Sequence, residues 1–247
     1  MKISLPFVKK PQILAAILAV VALAYTFLYP DSTHKVLSEA TTARPTRTIK
    51  IMPLGDSIIA GGNAEYKNGF RPDLLKNLHE YKIDYVGSYK EGLPGLDDWD
   101  TQAQAGACIR ATPCTTSMFE QTHSWVDAFK PDIVIMQGGT NDFSRGRENQ
   151  DPQIVRNALR DWVNEVWRAK PDAYIVVIGA PHEFLPYKQW IPGYVAFEQA
   201  LGKRISYVPL DGVEKDDIIH PNLAGYKTLA GRLATTLRPI LERLAAQ

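Results

Sequence analysis

From Thr48 onward the chain alternates short, continuously apolar runs with longer amphipathic ones, and few folds accept that alternation. Ile49 to Leu54, Asp84 to Val86, Ile133 to Met136, Tyr174 to Ile178 and Tyr207 to Val208 read as strands. Several are apolar on consecutive residues, as in a sheet covered on both faces. Helices fill the stretches between. One begins at Asp151 with Pro152 in its first turn, sets Val155, Leu159, Trp162 and Val166 at helical spacing, and ends at Lys170-Pro171. Another is expected to open with Ser117 and Glu120 in capping-box spacing and to run to Phe129. The last starts at Asn222, carries Leu223, Tyr226, Leu229, Leu233 and Leu237 on one side, and meets Pro239, which is expected to kink or interrupt it. Strand and helix in alternation predict an α/β domain, a three-layer α/β/α sandwich on a mostly parallel sheet of about five strands.

With 247 residues, 45% of them hydrophobic, the chain can fill one core, and two domains would each be small. Its 28 basic and 27 acidic residues leave a formal charge of +1, so no broad field exists to hold nucleic acid, and none is expected as a partner. Composition shifts sharply only at the N-terminus. Lys2, Lys9 and Lys10 precede an uncharged apolar stretch from Ile13 to Tyr29, which as a helix would span about 25 Å, slightly less than a bilayer core of about 30 Å. Ala22-Leu23-Ala24 fits a signal-peptide cleavage site, whereas the apolar run on to Tyr29 fits a retained anchor, and both readings stay open. Either puts the rest of the chain outside the cytoplasm, with membrane contact only through residues 13–29 if that segment is kept. The expected layout is an N-terminal apolar helix within residues 1–30, a tether over 31–47 rich in Thr, Ser and Arg, and a domain over 48–247. Export also gives Cys108 and Cys114 a meaning, because an oxidising compartment lets them pair across one loop for about 2 kcal/mol of chain entropy.

Parallel sheets bind ligands where the carboxyl ends of their strands meet the loops. "IMPLGDSIIAGG", residues 51 to 62, puts Ser57 at such an end, with Gly55 before it and Gly61-Gly62 after it. "GGTND", residues 138 to 142, again follows an apolar strand. "DDIIHPN", residues 216 to 222, sets Asp217 three residues before His220, so a carboxylate can hold one imidazole nitrogen while the other points outward as a general base. Each stretch alone is an ordinary turn or helix start.

Together, and in this order, the three blocks resemble the SGNH hydrolases, also called GDSL esterases and lipases. The resemblance runs from Ile49 to the last helix and implies a flavodoxin-like SGNH hydrolase fold. By position it makes Ser57 the nucleophile, His220 the base, Asp217 its orienter, and Asn141 of Gly139-Thr140-Asn141-Asp142 an oxyanion donor beside the Ser57 N–H. The family's second block supplies a glycine, and Gly106 in "QAQAGACIR" is assigned to it, since Gly92 and Gly95 sit in a plain turn. Ile58-Ile59 departs from the family, many of whose members carry a small hydroxyl residue after Gly-Asp-Ser.

The chemistry this implies is acyl transfer through a serine ester, with no cofactor and no metal. His182-Glu183 lacks the second histidine of a zinc helix motif, and Asp97, Asp98 and Asp100 read as a solvated loop. "IMPLGDS", "GFRPDLL", "YKIDYVGSYKEG" and "GGTNDF" are similar to the carbohydrate esterases of the family, so the expected partner is an ester substrate, an O-acylated carbohydrate, with a small acyl group, acetyl foremost, as the group removed. Trp99, Tyr187, Trp190 and Tyr194 read equally as sugar platforms and as packing. Two other readings are a lysophospholipase or thioesterase for longer chains, favoured by Ile58 and Ile59 beside the nucleophile, and a non-catalytic tethered polysaccharide-binding module. Transfer of the acyl group to a sugar shares the same intermediate.

Overall fold

The computed structural model describes residues 47–62, 68–90, 92, 98–110, 114–144, 151–181 and 184–247. The apolar N-terminal segment, the tether up to residue 46, Gly95, Asp97, His182 and Glu183 lie outside the described residues. Among the described residues there are seven strands: β1 (Ile49–Gly55), β2 (Ile83–Tyr85), β3 (Tyr89–Lys90), β4 (Asp100–Ala103), β5 (Ile133–Gln137), β6 (Tyr174–Ile178) and β7 (Ile205–Val208). The helices among the described residues are α1 (Ser57–Ala60), α2 (Arg71–Asn77), α3 (Phe119–Phe129), α4 (Thr140–Ser144), α5 (Pro152–Ala169), α6 (Leu185–Ala200) and α7 (Leu223–Ala245). All five expected strands form, with β3 and β4 in addition.

The apolar runs are continuous because alternate residues of each strand feed two separate cores. Ile49, Ile51, Ile133, Ile135, Val176 and Ile178 point to a layer closed by α1, α2 and α7. Their neighbours Met52, Leu54, Val134, Met136, Ile175 and Val177 point to the opposite layer, closed by α3, α5 and α6. Along the sheet the order is β3-β4-β1-β5-β6-β7, with β2 pairing the start of β1. Every pairing is parallel except β3 with β4. The chain therefore builds outward in both directions from β1, and the crevice beyond the carboxyl end of β1 is the switch point of the sheet.

The local signals held unevenly. Asp151 Oδ1 caps α5 by accepting from Gln153 N (2.8 Å), and Asn222 Oδ1 caps α7 by accepting from Gly225 N (2.8 Å). The capping box at Ser117 does not form, because its hydroxyl donates instead to Ile109 O (3.0 Å) and Met118 takes the cap position. Helix α7 runs through Pro239 without interruption, and the carbonyl of Thr235, which that proline cannot satisfy, lies on an exposed position. Leu223 leaves the apolar side assigned to it: it is 65% exposed, while Tyr226, Leu229, Leu233 and Leu237 are fully buried.

Candidate active site

Strand β1 ends at Gly55, where β4 flanks it through Ala103 and β5 through Gln137. A side chain has no room there: a Cβ on Gly55 would lie 2.4 Å from Gln137 O and 2.5 Å from Ile59 Cγ1. The chain then turns directly into α1. Asp56 caps it, Oδ1 accepting from Ile58 N at 3.0 Å, and Ser57 becomes the first helical residue. The Ser57 N–H is thereby one of the donors that a helix start leaves without an internal partner.

Asp217 and His220 reach the same end of the sheet from a compact loop after β7. Asp216 N donates to His220 O (3.0 Å) and Asn222 N to Glu214 O (3.1 Å), which pinches residues 214–222 into a narrow hairpin. Within it Asp217 Oδ1 accepts from Ile219 N (2.7 Å) and His220 N (2.6 Å), leaving Oδ2 to accept from His220 Nδ1 at 2.8 Å. The other ring nitrogen, Nε2, lies 2.8 Å from Ser57 Oγ, across 163 residues of sequence. The slight burial of Asp217 raises its pKa, but the bonds from the His220 ring, the His220 N–H and the Ile219 N–H outweigh it and hold the carboxyl at about 2. It is an anion throughout the neutral range, and the tautomer with a proton on Nδ1 leaves Nε2 free to accept from the serine.

Asn141 and Gly106 arrive on the loops after β5 and β4. Asn141 is buried in α4, and its Nδ2 donates one hydrogen to Ala107 O (2.9 Å), which leaves the second to point elsewhere. Gly106 lies three residues beyond Ala103, the partner of Gly55, in a left-handed turn (φ +81°) that glycine adopts without strain. Among the described residues neither the Ser57 N–H nor the Gly106 N–H has an acceptor. Cys108 and Cys114, just beyond, are joined as a disulfide with their Cα atoms 5.6 Å apart.

Asp56 and Gln137 had no place in the sequence reading. Asp56 is fully buried behind the nucleophile, and burial raises its carboxyl to about 7, aided by nearby Asp142 and opposed by the Ile58 N–H and the Thr140 side chain. The Gln137 side-chain amide faces it, 2.7 Å from Oδ1, in reach of a hydrogen bond. Position alone could have marked Asp56 as a helix cap; nothing in a strand-end glutamine announces such a partner. Ile58 and Ile59 are fully buried in the core, so they do not line a pocket for a long acyl chain. Tyr187 and Tyr194 are buried in a row of rings with Phe143, Phe184 and Trp190, which settles their role as packing. Trp99 is 37% exposed and lines a cleft of about 410 Å³ with Asp84, Lys90, Asp98 and Asp100. Asp100 is tied there to Lys90 at 2.7 Å. Among the described residues no three His, Cys, Asp or Glu side chains gather as a metal site would require, and no helix is long and apolar enough to cross a membrane.

Comparison by sequence with curated proteins gave no match. Among solved structures, this chain is similar to a family 3 carbohydrate esterase of Clostridium thermocellum, at 27% identity and a TM-score of 0.70 over 81% of this chain and 100% of that one. A family 3 carbohydrate esterase from Talaromyces cellulolyticus shares the fold at 21% identity and a TM-score of 0.64, over 79% and 99% of the two chains. So does a family 2 carbohydrate esterase from Clostridium thermocellum, solved in complex with cellohexaose, at 18% identity and a TM-score of 0.59, over 80% and 65%. The model of the GDSL-like lipase/acylhydrolase family matches residues 54–228, which hold Ser57, Asn141, Asp217 and His220 alike. On that match the chain belongs to the GDSL-like lipase/acylhydrolase family and is an enzyme that hydrolyses esters.

Proposed function

We propose that this enzyme removes short acyl groups, acetyl above all, from carbohydrate through an acyl-enzyme on Ser57. The observation that carries the reading is the unbroken relay from Ser57 Oγ to His220 Nε2 and from His220 Nδ1 to Asp217, each link 2.8 Å. His220 takes the Ser57 proton as Oγ attacks the carbonyl carbon, and Asp217 holds the ring and offsets its new positive charge. The alkoxide of the tetrahedral intermediate faces the N–H groups of Ser57 and Gly106 and the second amide hydrogen of Asn141. Collapse breaks the bond to the sugar oxygen, which leaves with the proton from His220. Water then gives a proton to His220 and attacks the acyl carbon, and the acid departs as the proton returns to Ser57.

Proton transfer accounts for about 10²- to 10⁴-fold of the rate, and each oxyanion donor for about 10²- to 10³-fold. A short acyl group agrees with the burial of Ile58 and Ile59, which leaves the residues after the nucleophile no apolar slot to offer. The likeness to a carbohydrate esterase at 27% identity supports a sugar as the alcohol. The Cys108 to Cys114 disulfide supports placement outside the cytoplasm.

The test is a series of p-nitrophenyl esters from acetyl to octanoyl and an acetylated oligosaccharide, with wild type beside Ser57→Ala. Turnover should fall steeply with chain length, acetate should be released from the oligosaccharide, and Ser57→Ala should fold normally while losing at least about a thousandfold in rate. A rate that climbs toward octanoyl would remove the short-acyl reading. Equal turnover by the two proteins, or failure of a fluorophosphonate to label Ser57, would remove the mechanism.

A further inference from the structure

We infer that Asp142 is a positioning residue for the oxyanion hole, holding the segment that follows Gly106 in place by accepting its backbone N–H groups. The inference rests on the oxyanion role proposed above for Gly106 and Asn141. Asp142 is 3% exposed, and its oxygens meet the chain itself: Oδ2 accepts from Ile109 N at 3.0 Å and Oδ1 from Arg110 N at 3.4 Å. Burial raises its pKa, and the N–H groups of Ile109 and Arg110 oppose the rise. A carboxylate taken out of water is costly unless its lone pairs are filled, so the arrangement persists only while the segment stays against it.

The rest of that segment is fixed just as closely. Ala107 O accepts from Asn141, Cys108 N donates to Thr116 O (3.1 Å), Cys108 O accepts from Met118 N (3.0 Å), and Ile109 O accepts from both Phe119 N (2.9 Å) and Ser117 Oγ (3.0 Å). Two consecutive residues of α4 thus act together. Asn141 holds the peptide next to Gly106 and presents its second hydrogen to the substrate; Asp142 fixes the two peptides beyond. A donor preorganised at the right distance acts without reorganising during the reaction, so small displacement of Gly106 lowers the rate and not the ground-state affinity.

The obvious variant is Asp142→Asn, whose single oxygen serves one of the two N–H groups while its NH₂ faces the other. The informative readout is the ratio of rates on an oxoester and on its thionoester, because a tetrahedral sulfur anion profits less from the hole than an oxyanion does. Asp142→Asn should lower kcat on the oxoester by about 10- to 100-fold with KM within about threefold of wild type, and should shrink the preference for oxygen over sulfur. Should that variant not fold, as judged by circular dichroism, Asp142→Ser fills the same place with one hydroxyl acceptor and carries the same expectation. A fall in rate that is equal for the two esters, or no fall, would overturn the inference. Ser57→Ala, assayed alongside, keeps the outcomes apart: activity that survives it sinks the proposed mechanism, whereas an inactive Ser57→Ala with an unchanged ester ratio at position 142 sinks only the role of Asp142.

Discussion

The Tyr226 hydroxyl donates to Ile58 O at 3.1 Å, joining the first turn of α7 to the turn that carries Ser57 across 168 residues. Gly62 lies against both Tyr226 and His220: a Cβ placed on it would sit 3.4 Å from the tyrosine oxygen and 3.4 Å from His220 Cβ. The bond therefore braces the nucleophile turn against the element that leads away from the histidine. In Tyr226→Phe the buried Ile58 carbonyl loses that donor, at a cost of about 1–3 kcal/mol, and Tm should fall by roughly 2–4 °C for each kcal/mol. With Ser57 held less firmly opposite His220, kcat should drop severalfold while KM stays put. A calorimetric scan and a Michaelis curve check the two halves, and an unchanged Tm would show that the bond does not brace the turn.

Asp217 spends one oxygen on the imidazole and the other on two backbone N–H groups. Asp217→Asn has only one oxygen, so either the ring or the hairpin goes without an acceptor. A fall in kcat of about 10²-fold or more is expected, with the His220 ring no longer held in one tautomer. The carboxyl is held at about 2 against an ordinary 3.8, which fixes the sign of a stability effect. The unfolded chain takes up the proton first as pH falls, so the contribution of Asp217 is complete above about pH 4 and disappears as pH drops through about 2. Urea midpoints of wild type and variant should differ by a constant amount from pH 5 to 7 and converge below pH 4. Convergence at higher pH would mean that another group carries the effect.

How much of this was legible depended on whether the determining contacts were local or distant. The strands β1, β5 and β6 stood out because two buried faces leave runs of four or five consecutive apolar residues, Ile51 to Leu54, Ile133 to Met136 and Tyr174 to Ile178. β3 and β4 did not: Tyr89-Lys90 is a two-residue strand at the sheet's edge, where charge is tolerated, and Asp100 to Ala103, although its last three residues are buried, is a short and mostly polar run with no apolar pattern. Asp217 and His220 were legible because three residues separate them. The bond from Asp142 to Ile109 and the one from Tyr226 to Ile58 were not, because their partners lie 33 and 168 residues away and only the folded sheet brings them together. Ser117 misled for the same reason: its hydroxyl answers a carbonyl eight residues back in place of the helix start beside it.

Asp56 gives the sharpest test of how the nucleophile turn is built. It is wholly buried, and its carboxyl, raised to about 7, keeps a proton that the unfolded chain, at an ordinary 3.8, has already released. Between these two values the folded state binds more protons than the unfolded one, so stability declines as pH rises through that window. Asp56→Asn cannot ionise, and its amide oxygen can still accept from Ile58 N, so the variant should escape the decline. Relative to the variant, wild type should lose stability from pH 4 to 7 by an amount bounded at about 4 kcal/mol, taking about 1.4 kcal/mol per pH unit. Urea titrations of both proteins at half-unit steps measure the difference directly. A difference that stays flat would mean that the folded Asp56 is ionised throughout, with the Ile58 N–H, Gln137 and Thr140 together offsetting its burial; a difference that grows with pH would mean that the turn carrying Ser57 is built on a neutral acid.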